Sequence, residues 1–329
     1  MPLPSSPASA VDSELLGIVV LTHGTATEAV PLIHSLLEAG CAPESITVVH
    51  NPVEQGQRPL EPPDPGIDVL QPEANIGYAA GMNLGIRHQR QRGAAVILLL
   101  THDVRFRPGA LAALLAPLDR NPEFGVLGPV LSFRGDDRPF SFGGRTTQVG
   151  ATVHVRERPP GADGVAAMDW IDGCAMAIRA QVFDAVGGLN ERFFGYCEES
   201  ELCLRATRGG WKVGVALDAM AEQSPGRTKR PGAHAYLLSR NGLEYARLAS
   251  GTRGVVAGLG RALYQMASDG RRILGAKAGR RSAGTAAESY PRLVGTAWGI
   301  LDFARRRWGP PPPRLPGMGD YQNLPKRPG

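Results

Sequence analysis

The chain has 329 residues, 43% of them hydrophobic and 20% charged, which is typical of a folded globular protein with one large or two smaller domains. Apolar runs fall short of the ~20 residues needed to span a bilayer, and residues 2–10 lack the basic start and apolar core of a secretory signal. Residues after 250 carry 14 basic and 4 acidic side chains, a net charge of +10, which leaves −5 for the first 250. This asymmetry indicates two roles and argues against a nucleic-acid-binding protein.

The chain ends and the cysteines carry little recognisable chemistry. Residues 1–14 are small and Pro-rich and are predicted to be disordered, and residues 310–329 form a Pro-rich polar tail. The four cysteines are scattered without the spacing of a metal site, so we expect free thiols in a reducing cytoplasm.

Strands and helices alternate along the first 220 residues. Hydrophobic runs that end in polar residues predict strands, and apolar residues three and four apart predict helices. Strands are predicted at 17–22, 46–49, 67–70, 94–100, 126–130, 170–178 and 211–216, and helices at 29–39, from the glycine-rich stretch 75–85 to about 92, at 111–115, at 182–186 and after 198. The segment 135–164 is predicted to be a hairpin or a mobile loop. Such alternation predicts an α/β fold with a mostly parallel sheet and helices on both faces.

Beyond residue 220 the pattern is helical. A helix over 233–249 is predicted to carry Arg240 and Asn241, and residues 251–309 are predicted to form two or three further helices. Apolar positions such as Trp298 alternate there with arginines, including the run 305–307. A helix with an apolar and a basic face suits the anionic inner face of a membrane. It equally suits packing against the α/β region or a second copy of the chain.

Polar residues follow the predicted strands where each strand ends. Thr22 ends the first strand, Asn51 follows the second, and Thr101, His102 and Asp103 follow the aliphatic run at 96–100. In open α/β sheets ligands bind outside the carboxyl ends of strands. Asp103 is therefore a candidate metal ligand, although a cap or turn residue for the next helix is an equally good interpretation from this stretch alone.

Two further clusters are unusual. Asn75-x-Gly77-Tyr78-x-x-Gly81-x-Asn83 opens a helix with glycines four apart, which is not the dinucleotide-binding pattern and by itself favours close helix–sheet packing. Three glutamates at 198, 199 and 201 follow an aromatic stretch at 193–196. Acidic residues suit a helix N-terminus, which explains one or two of the glutamates but not the aromatic residues that precede them.

The order of these motifs, with Trp170-Ile171-Asp172-Gly173 between them, resembles the family 2 glycosyltransferases, and in particular their rhamnosyltransferase-like branch. The resemblance covers roughly residues 15–250. It implies a GT-A-type, Rossmann-like and mostly parallel sheet flanked by helices. Residues 251–309 would then form a basic helical extension of this domain.

The resemblance implies an inverting transfer of a sugar from a nucleotide diphosphate sugar to an acceptor hydroxyl. It also implies a divalent cation, Mg²⁺ or Mn²⁺, held by Asp103 and the diphosphate. Thr101 stands where relatives have a first acid or Asn, and His102 either faces the ribose or caps the next helix. The residues that the resemblance assigns to the donor and its cofactor are Thr22, Asn51, Asn75, Gly77, Asn83, Thr101, His102 and Asp103.

On the acceptor side the resemblance implies a general base at Glu199, with Glu198 orienting it or the acceptor, and Glu201 paired with Arg205. Trp170, Asp172 and Gly173 are assigned to the substrate. Glu199 is a departure, because the family's base is the second acid of a Glu-Asp pair. A second departure is Ala221-Glu222-Gln223-Ser224, where relatives often place a metal-binding His.

Two rival functions remain open at this stage. A nucleotidyltransferase shares the predicted topology, but residues 22–27 lack the basic, glycine-rich loop expected after its first strand. A sugar-nucleotide-binding protein without catalysis would tolerate the altered motifs, although both sites keep a carboxylate.

The expected partners are a nucleotide sugar donor and a glycan, lipid-linked or small-molecule acceptor. Location is expected in the cytoplasm or at the inner face of its membrane, with membrane contact or a homodimer through the C-terminal helices.

Overall fold

Within the residues described, ten strands form one mixed sheet and two more form a separate hairpin. The structure is a computed structural model that describes residues 16–24, 29–54, 56–58, 60–224, 230–278, 282–318 and 324–325. The strands are β1 (Leu16–His23), β2 (Ile46–Asn51), β3 (Asp68–Leu70), β4 (Val96–Thr101), β5 (Val104–Phe106), β6 (Phe124–Phe133), β7 (Pro139–Ser141), β8 (Gly144–Thr146), β9 (Thr152–His154), β10 (Val165–Met168), β11 (Ala175–Arg179) and β12 (Lys212–Gln223). The helices are α1 (Val30–Glu38), α2 (Gly77–Gln91), α3 (Ala110–Arg120), α4 (Ala180–Val186), α5 (Glu198–Arg208), α6 (Pro231–Lys277) and α7 (Ala283–Ala304).

The sheet has the order β10-β12-β6-β11-β4-β1-β2-β3, with β5 and β7 added at β12 and β6. The predicted parallel arrangement is present across β3, β2, β1 and β4. β11, however, runs antiparallel between β4 and β6, so the sheet is mixed. A parallel return needs a long crossover, usually a helix. The fully described stretch 134–174 contains no helix.

Helices cover both faces of the sheet, as the aliphatic run at 96–100 predicts. Leu98 and Leu100 of β4 pack with α1 and α3 on one face, and Ile97 and Leu99 pack with α2, α4 and α5 on the other. Alternate residues of a strand point to opposite faces, so a strand buried on both sides needs an unbroken apolar sequence. The polar residues that follow β4 therefore lie at the edge of the sheet.

The strand predicted at 170–178 begins only at Ala175. The reason lies in the preceding residues: Trp170 forms a bridge with Gly144 and donates from its indole nitrogen to the Arg145 carbonyl, 3.2 Å away. This pulls residues 170–174 toward the β8–β9 hairpin. The stretch 1–14, predicted to be disordered, lies outside the described residues.

The C-terminal region contains three helical segments, because α6 bends sharply at Gly251 (φ 61°, ψ −148°). The second segment, 252–277, folds back along the first, 231–250, so that Gly258 lies against Leu243. α7 packs closely on α6, because Gly295 and Gly299 of α7 lie directly against the α6 backbone. Within the described residues no helix combines the length and the apolar character needed to cross a bilayer.

Candidate active site

Asp103 lies at the carboxyl end of β4, two residues beyond Thr101. The Thr101 hydroxyl donates to Asp103 Oδ1 at 2.6 Å, and Gln223 Nε2 donates to Oδ2 at 3.3 Å. Gln223 ends β12 and reaches Asp103 because β12 pairs with β5. The element after Asp103 is β5, and α3 begins only at Ala110 after Gly109, without a side-chain cap. Capping of the next helix by Asp103 or His102 is therefore wrong.

The donor set around Asp103 fits an ion shared with a diphosphate better than a resident ion. Among the described residues no group of three or more His, Cys, Asp or Glu side chains is arranged to hold a metal. Mg²⁺ is commonly bound through one or two carboxylates together with substrate phosphates, so Asp103 can supply the protein's share. Thr101 stands where relatives have the first acid or Asn of the motif, and its hydroxyl orients the Asp103 carboxylate instead.

Two guanidinium groups lie beside the Asp103 backbone. Arg134 Nη2 donates to the Asp103 carbonyl at 3.1 Å, and Arg105 Nη1 donates to the His102 carbonyl at 2.9 Å. Burial, followed by repulsion from Arg134, lowers the pKa of Arg105, while the Asp103 carboxylate opposes that shift. The three charged groups therefore lie close to one another. Neither arginine belongs to a recognised motif, so the sequence did not single them out.

Asn51, Asn75 and Gly77 shape the start of α2. Asn51 donates to the Gly77 carbonyl at 2.9 Å and accepts from Ile76 N at 3.3 Å, while Asn75 Oδ1 accepts from Gly77 N at 2.9 Å. Gly77 has a φ of 83°, and a Cβ there would collide with the Phe194 carbonyl. Glycine is needed at this position on both counts.

Thr22 and Asn83 have different surroundings. Thr22 is fully buried at the end of β1, and its hydroxyl has no hydrogen-bond partner within the described residues. The Asn83 amide donates to the Leu189 carbonyl at 2.8 Å and to Glu191 at 2.9 Å, and it accepts from Leu189 N at 2.9 Å. Asn83 thus ties α2 to the loop that leads into the acidic motif.

Trp170, Asp172 and Gly173 meet the β8–β9 hairpin and the acidic helix. Asp172 accepts from Ser141 at 2.6 Å and contacts His154 Nε2 at 2.9 Å. The Trp170 ring packs edge-on against His154, with ring centroids 4.8 Å apart. The Tyr78 hydroxyl donates to the Gly173 carbonyl. A Cβ on Gly173 would lie 3.3 Å from Glu199 Cβ, so Gly173 and Glu199 are neighbours.

Glu198 and Glu199 begin α5 in different environments. Glu198 is 4% exposed, and its Oε2 has no partner within the described part of the chain. Burial and the neighbouring Glu199 charge raise the pKa of Glu198 well above the usual range. Glu199 is half-buried and accepts from the Ser200 hydroxyl at 2.9 Å. Burial raises its pKa too, assisted by the charge of Asp172. The predicted Glu201–Arg205 ion pair is confirmed, with Arg205 Nη2 and Glu201 Oε2 2.7 Å apart.

The carboxylates of Asp103, Asp172 and Glu199 lie near Cys174. Burial raises the pKa of the Cys174 thiol well above its usual value, and the charges of Asp172, Asp103 and Glu199 raise it further. The Cys174 carbonyl accepts from Thr101 N at 3.0 Å, which joins the start of β11 to the end of β4. The metal candidate and the base candidate therefore face one site, although they are 96 residues apart in sequence.

The backbone before Glu198 is held in a rarely adopted conformation. Phe194, Tyr196 and Cys197 have positive φ values of 66°, 69° and 71°. Non-glycine residues adopt this region at an energetic cost, and such residues cluster at functional sites. Here the conformation aims the first turn of α5, with Glu198 and Glu199, at the edge of the sheet. We call residues 193–199 the acid loop.

Two residues of α6 clamp the acid loop. Arg240 is fully buried and donates to the Phe193 carbonyl at 2.9 Å, the Gly309 carbonyl at 2.8 Å and Asn241 Oδ1 at 2.9 Å. Asn241 Nδ2 donates to the carbonyls of Phe193 (2.9 Å), Gly195 (2.7 Å) and Tyr196 (2.9 Å). The sequence placed both residues on a helix but gave them no role. The one available signal was an adjacent Arg-Asn pair in the middle of that helix.

The family model that matches this chain is "Glycosyl transferase family 2", over residues 18–188, which is more than half of the chain. The chain belongs to glycosyl transferase family 2. The match includes Asp103 and Asp172, and it ends ten residues before Glu198.

Among curated family members, an N-acetylglucosaminyl-diphospho-decaprenol L-rhamnosyltransferase of Mycobacterium tuberculosis is 26% identical over 171 residues, covering 45% of this chain and 55% of that protein. The low-salt glycan biosynthesis hexosyltransferase Agl10 of Haloferax volcanii is 27% identical over 184 residues, covering 53% of this chain and 58% of that protein. The chain thus spans a little over half the length of these relatives. The crystal structure of GalNAc-T7 with UDP, GalNAc and Mn²⁺ aligns with a TM-score of 0.53 at 12% identity, covering 68% of this chain and 47% of that one. The predicted GT-A fold with a C-terminal helical region is confirmed, and its sheet is mixed.

Proposed function

We propose that this protein is an inverting glycosyltransferase that moves a sugar from a nucleotide diphosphate sugar to an acceptor hydroxyl. The observation that carries the proposal is that Asp103 and Glu199 meet at residues 173–174, at the carboxyl edge of the sheet. Thr101, whose hydroxyl binds Asp103, donates from its backbone nitrogen to the Cys174 carbonyl, and Glu199 lies against Gly173. Membership of glycosyl transferase family 2 supports the same reaction class.

In the proposed reaction the acceptor oxygen attacks the anomeric carbon from the side opposite the diphosphate. The new glycosidic C–O bond forms as the C–O bond to the diphosphate breaks, and the nucleoside diphosphate leaves with the bonding electron pair. Glu199 takes the acceptor proton, which requires an ionised carboxylate. Its half-buried position beside Gly173 supports this role, because an acceptor can reach it. Glu198 is almost fully buried, and burial with the neighbouring Glu199 charge raises its pKa, so it is better suited to hold a proton and orient its neighbours.

The leaving diphosphate needs positive charge. Asp103 would hold a divalent ion between itself and the diphosphate, and that ion would neutralise charge as it develops. Arg105 and Arg134 lie close enough to Asp103 to contribute to the same neutralisation. Thr101 and Gln223 fix the Asp103 carboxylate, and Asn51, Asn75 and Gly77 shape the loop facing the donor. In this assignment Asn83 holds residues 189–191, which lead into the acid loop, rather than touching the nucleotide.

The donor and the acceptor are proposed by class. The relatives named above are a rhamnosyltransferase and a hexosyltransferase, which supports a hexose or deoxyhexose donor. The first is named for a diphospho-decaprenol acceptor, which supports a lipid-linked acceptor here. All four cysteines are free thiols, which supports the expected cytoplasmic location.

A thermal-shift screen of nucleoside diphosphates and nucleotide sugars, each with and without Mn²⁺, tests donor binding. A ligand that binds only the folded state raises the melting temperature by mass action. We expect one nucleoside diphosphate to stabilise the protein more strongly with Mn²⁺ than without it. Turnover with the matching donor should release free nucleoside diphosphate. Release of pyrophosphate would indicate a nucleotidyltransferase, and binding without any turnover across acceptors would favour a binding protein.

A further inference from the structure

The second helical segment of α6, residues 252–277, has one packed and one open side. Its packed side faces the first segment through Gly254 and Gly258. On the open side four large apolar residues remain exposed: Val256 is 64%, Leu263 59%, Tyr264 70% and Leu274 66% exposed. At ~100° per residue, Val256, Leu263 and Leu274 lie within about 20° of one another around the helix. They form a continuous apolar stripe.

The exposed charges that flank this stripe have one sign. Arg253, Arg271 and Lys277 are exposed and lie within about 60° of Val256 around the helix. Asp269 is the sole acidic residue between 251 and 277, and it is fully buried against Gln265, Arg272 and Arg292. Soluble surfaces ordinarily mix charges of both signs. We call this combination of exposed apolar and basic residues the outer face.

A second copy of the chain is a poor occupant for the outer face. If two such faces packed together, basic residues of one copy would lie against basic residues of the other. The segment has no exposed carboxylate that could pair with them. An anionic bilayer surface matches both features, because apolar side chains enter the boundary between headgroups and acyl chains while basic side chains meet lipid phosphates. Tyr264 is a residue type enriched at that boundary.

We propose that the outer face, defined by Val256, Leu263, Tyr264 and Leu274 with Arg253, Arg271 and Lys277, docks this protein on an anionic lipid surface. The inference does not depend on the proposed glycosyl transfer. The helix lies in the plane of the interface. The acid loop, clamped by the first segment of the same helix, is thereby carried to the membrane surface.

Co-sedimentation of the full chain with lipid vesicles tests the proposal. One set contains phosphatidylcholine alone and the other mixes it with phosphatidylglycerol, each at low and at high salt. We expect binding to the mixed vesicles alone, weakened by salt because surface charges are screened. The charge variant carries Arg253→Gln, Arg271→Gln and Lys277→Gln, and it should bind at least about tenfold more weakly.

A matched control removes the same number of positive charges from exposed positions elsewhere. It carries Arg58→Gln, Arg120→Gln and Arg156→Gln. It should bind like the unaltered protein, since the proposal assigns binding to the outer face and not to net charge. Equal loss in both variants would overturn the proposal, as would unaltered protein that sediments with neither vesicle.

A second variant separates the membrane from a second copy. Leu263→Ser with Leu274→Ser changes two exposed residues, so the fold should be retained, and far-ultraviolet circular dichroism checks this. We expect loss of vesicle binding with no change of mass in analytical ultracentrifugation. A dimer of the unaltered protein that this variant dissociates, without vesicle binding by either, would assign the face to self-association and refute the membrane proposal.

Discussion

The donor edge and the acid loop meet at one site but are held in different ways. The donor edge, formed by Asn51, Asn75, Gly77 and Asp103, takes its shape mainly from strand ends and from hydrogen bonds at the start of α2 and at the end of β4. The acid loop has three residues at positive φ and depends on donors from α6. A strand end is fixed by its ladder, whereas an irregular loop keeps a costly conformation only where its surroundings impose it.

This difference divides the C-terminal helices between two tasks. The first segment of α6 supports the acid loop, while the second segment presents the outer face. The domain boundary predicted at residue 250 falls next to the bend at Gly251. This bend separates the segment that supports the acid loop from the segment that carries the outer face. Changes at the donor edge should therefore abolish chemistry directly, and changes in the clamp should weaken it from a distance.

The largest effect is expected from Asp103→Asn at the donor edge. The substitution keeps size and hydrogen bonding but removes the charge that would hold the ion, so turnover should fall below detection with an unchanged melting temperature. Nucleoside diphosphate release measures it. Excess EDTA should abolish turnover by the unaltered enzyme, and added Mn²⁺ should restore that turnover. Full activity in EDTA would remove the metal from the proposal.

Glu199→Gln in the acid loop should cost about 10²–10⁴-fold in kcat, the usual effect of losing a general base. Nucleoside diphosphate binding, measured by calorimetry, should change little because the donor edge is untouched. Glu198→Gln is the matched control at the adjacent position and should be less damaging. The opposite order would reverse the assignment within the pair.

Asn241→Ala tests whether the clamp acts on the chemistry. It leaves the Gly195 and Tyr196 carbonyls without their Asn241 donor, and the Phe193 carbonyl keeps only Arg240, which should destabilise the fold by about 1–3 kcal/mol. A displaced base should lower kcat by about tenfold to a hundredfold while nucleoside diphosphate affinity is kept.

The control for the clamp is Asn121→Ala. Asn121 is also buried, and its amide donates to the Pro117 carbonyl at 2.9 Å, but it lies at the end of α3 and outside the acid loop. It should cost stability without the fall in kcat. Equal loss of kcat in both variants would mean that Asn241 acts through general stability alone.

The pH profile sharpens the comparison further. Burial and the Asp172 charge raise the pKa of Glu199, so activity should be lost on acidification at a pH above the usual range for a glutamate. Asp172→Asn removes one cause of that shift and should move the acidic limb of the kcat profile to lower pH. A limb that stays in place would show that Asp172 does not act on the base.

The smallest effect concerns stability. The folded-state pKa of Glu198 lies above its unfolded value, so the folded protein retains a proton that the unfolded chain releases, and stability falls as pH rises through this interval. Glu198→Gln removes that penalty and should raise the melting temperature at neutral pH. The gain should vanish below the ordinary carboxyl range, where both states are protonated. A gain independent of pH would point to packing instead.

Much of the donor edge could be predicted from the sequence. An aliphatic run long enough for a doubly covered strand located β4, and a polar residue after such a strand must lie at the sheet edge, which located Asp103. The glycines in the motif at Asn75 predicted close helix–sheet packing, and Gly81 lies against Leu21 of β1. These inferences held because strand ends and glycine positions depend on local sequence and on the alternation of strands and helices.

What the sequence by itself determined is the family, the α/β layers and the candidate residues. Only the tertiary structure decided the antiparallel insertion of β11, the pairing of Gln223 with Asp103, and the clamp of Arg240 and Asn241 on the acid loop. Each of these joins segments that are distant along the chain, and neither periodicity nor a motif encodes which distant carbonyl a buried donor will reach. That choice follows from how the helices pack, because every buried donor must find an acceptor once packing has excluded water.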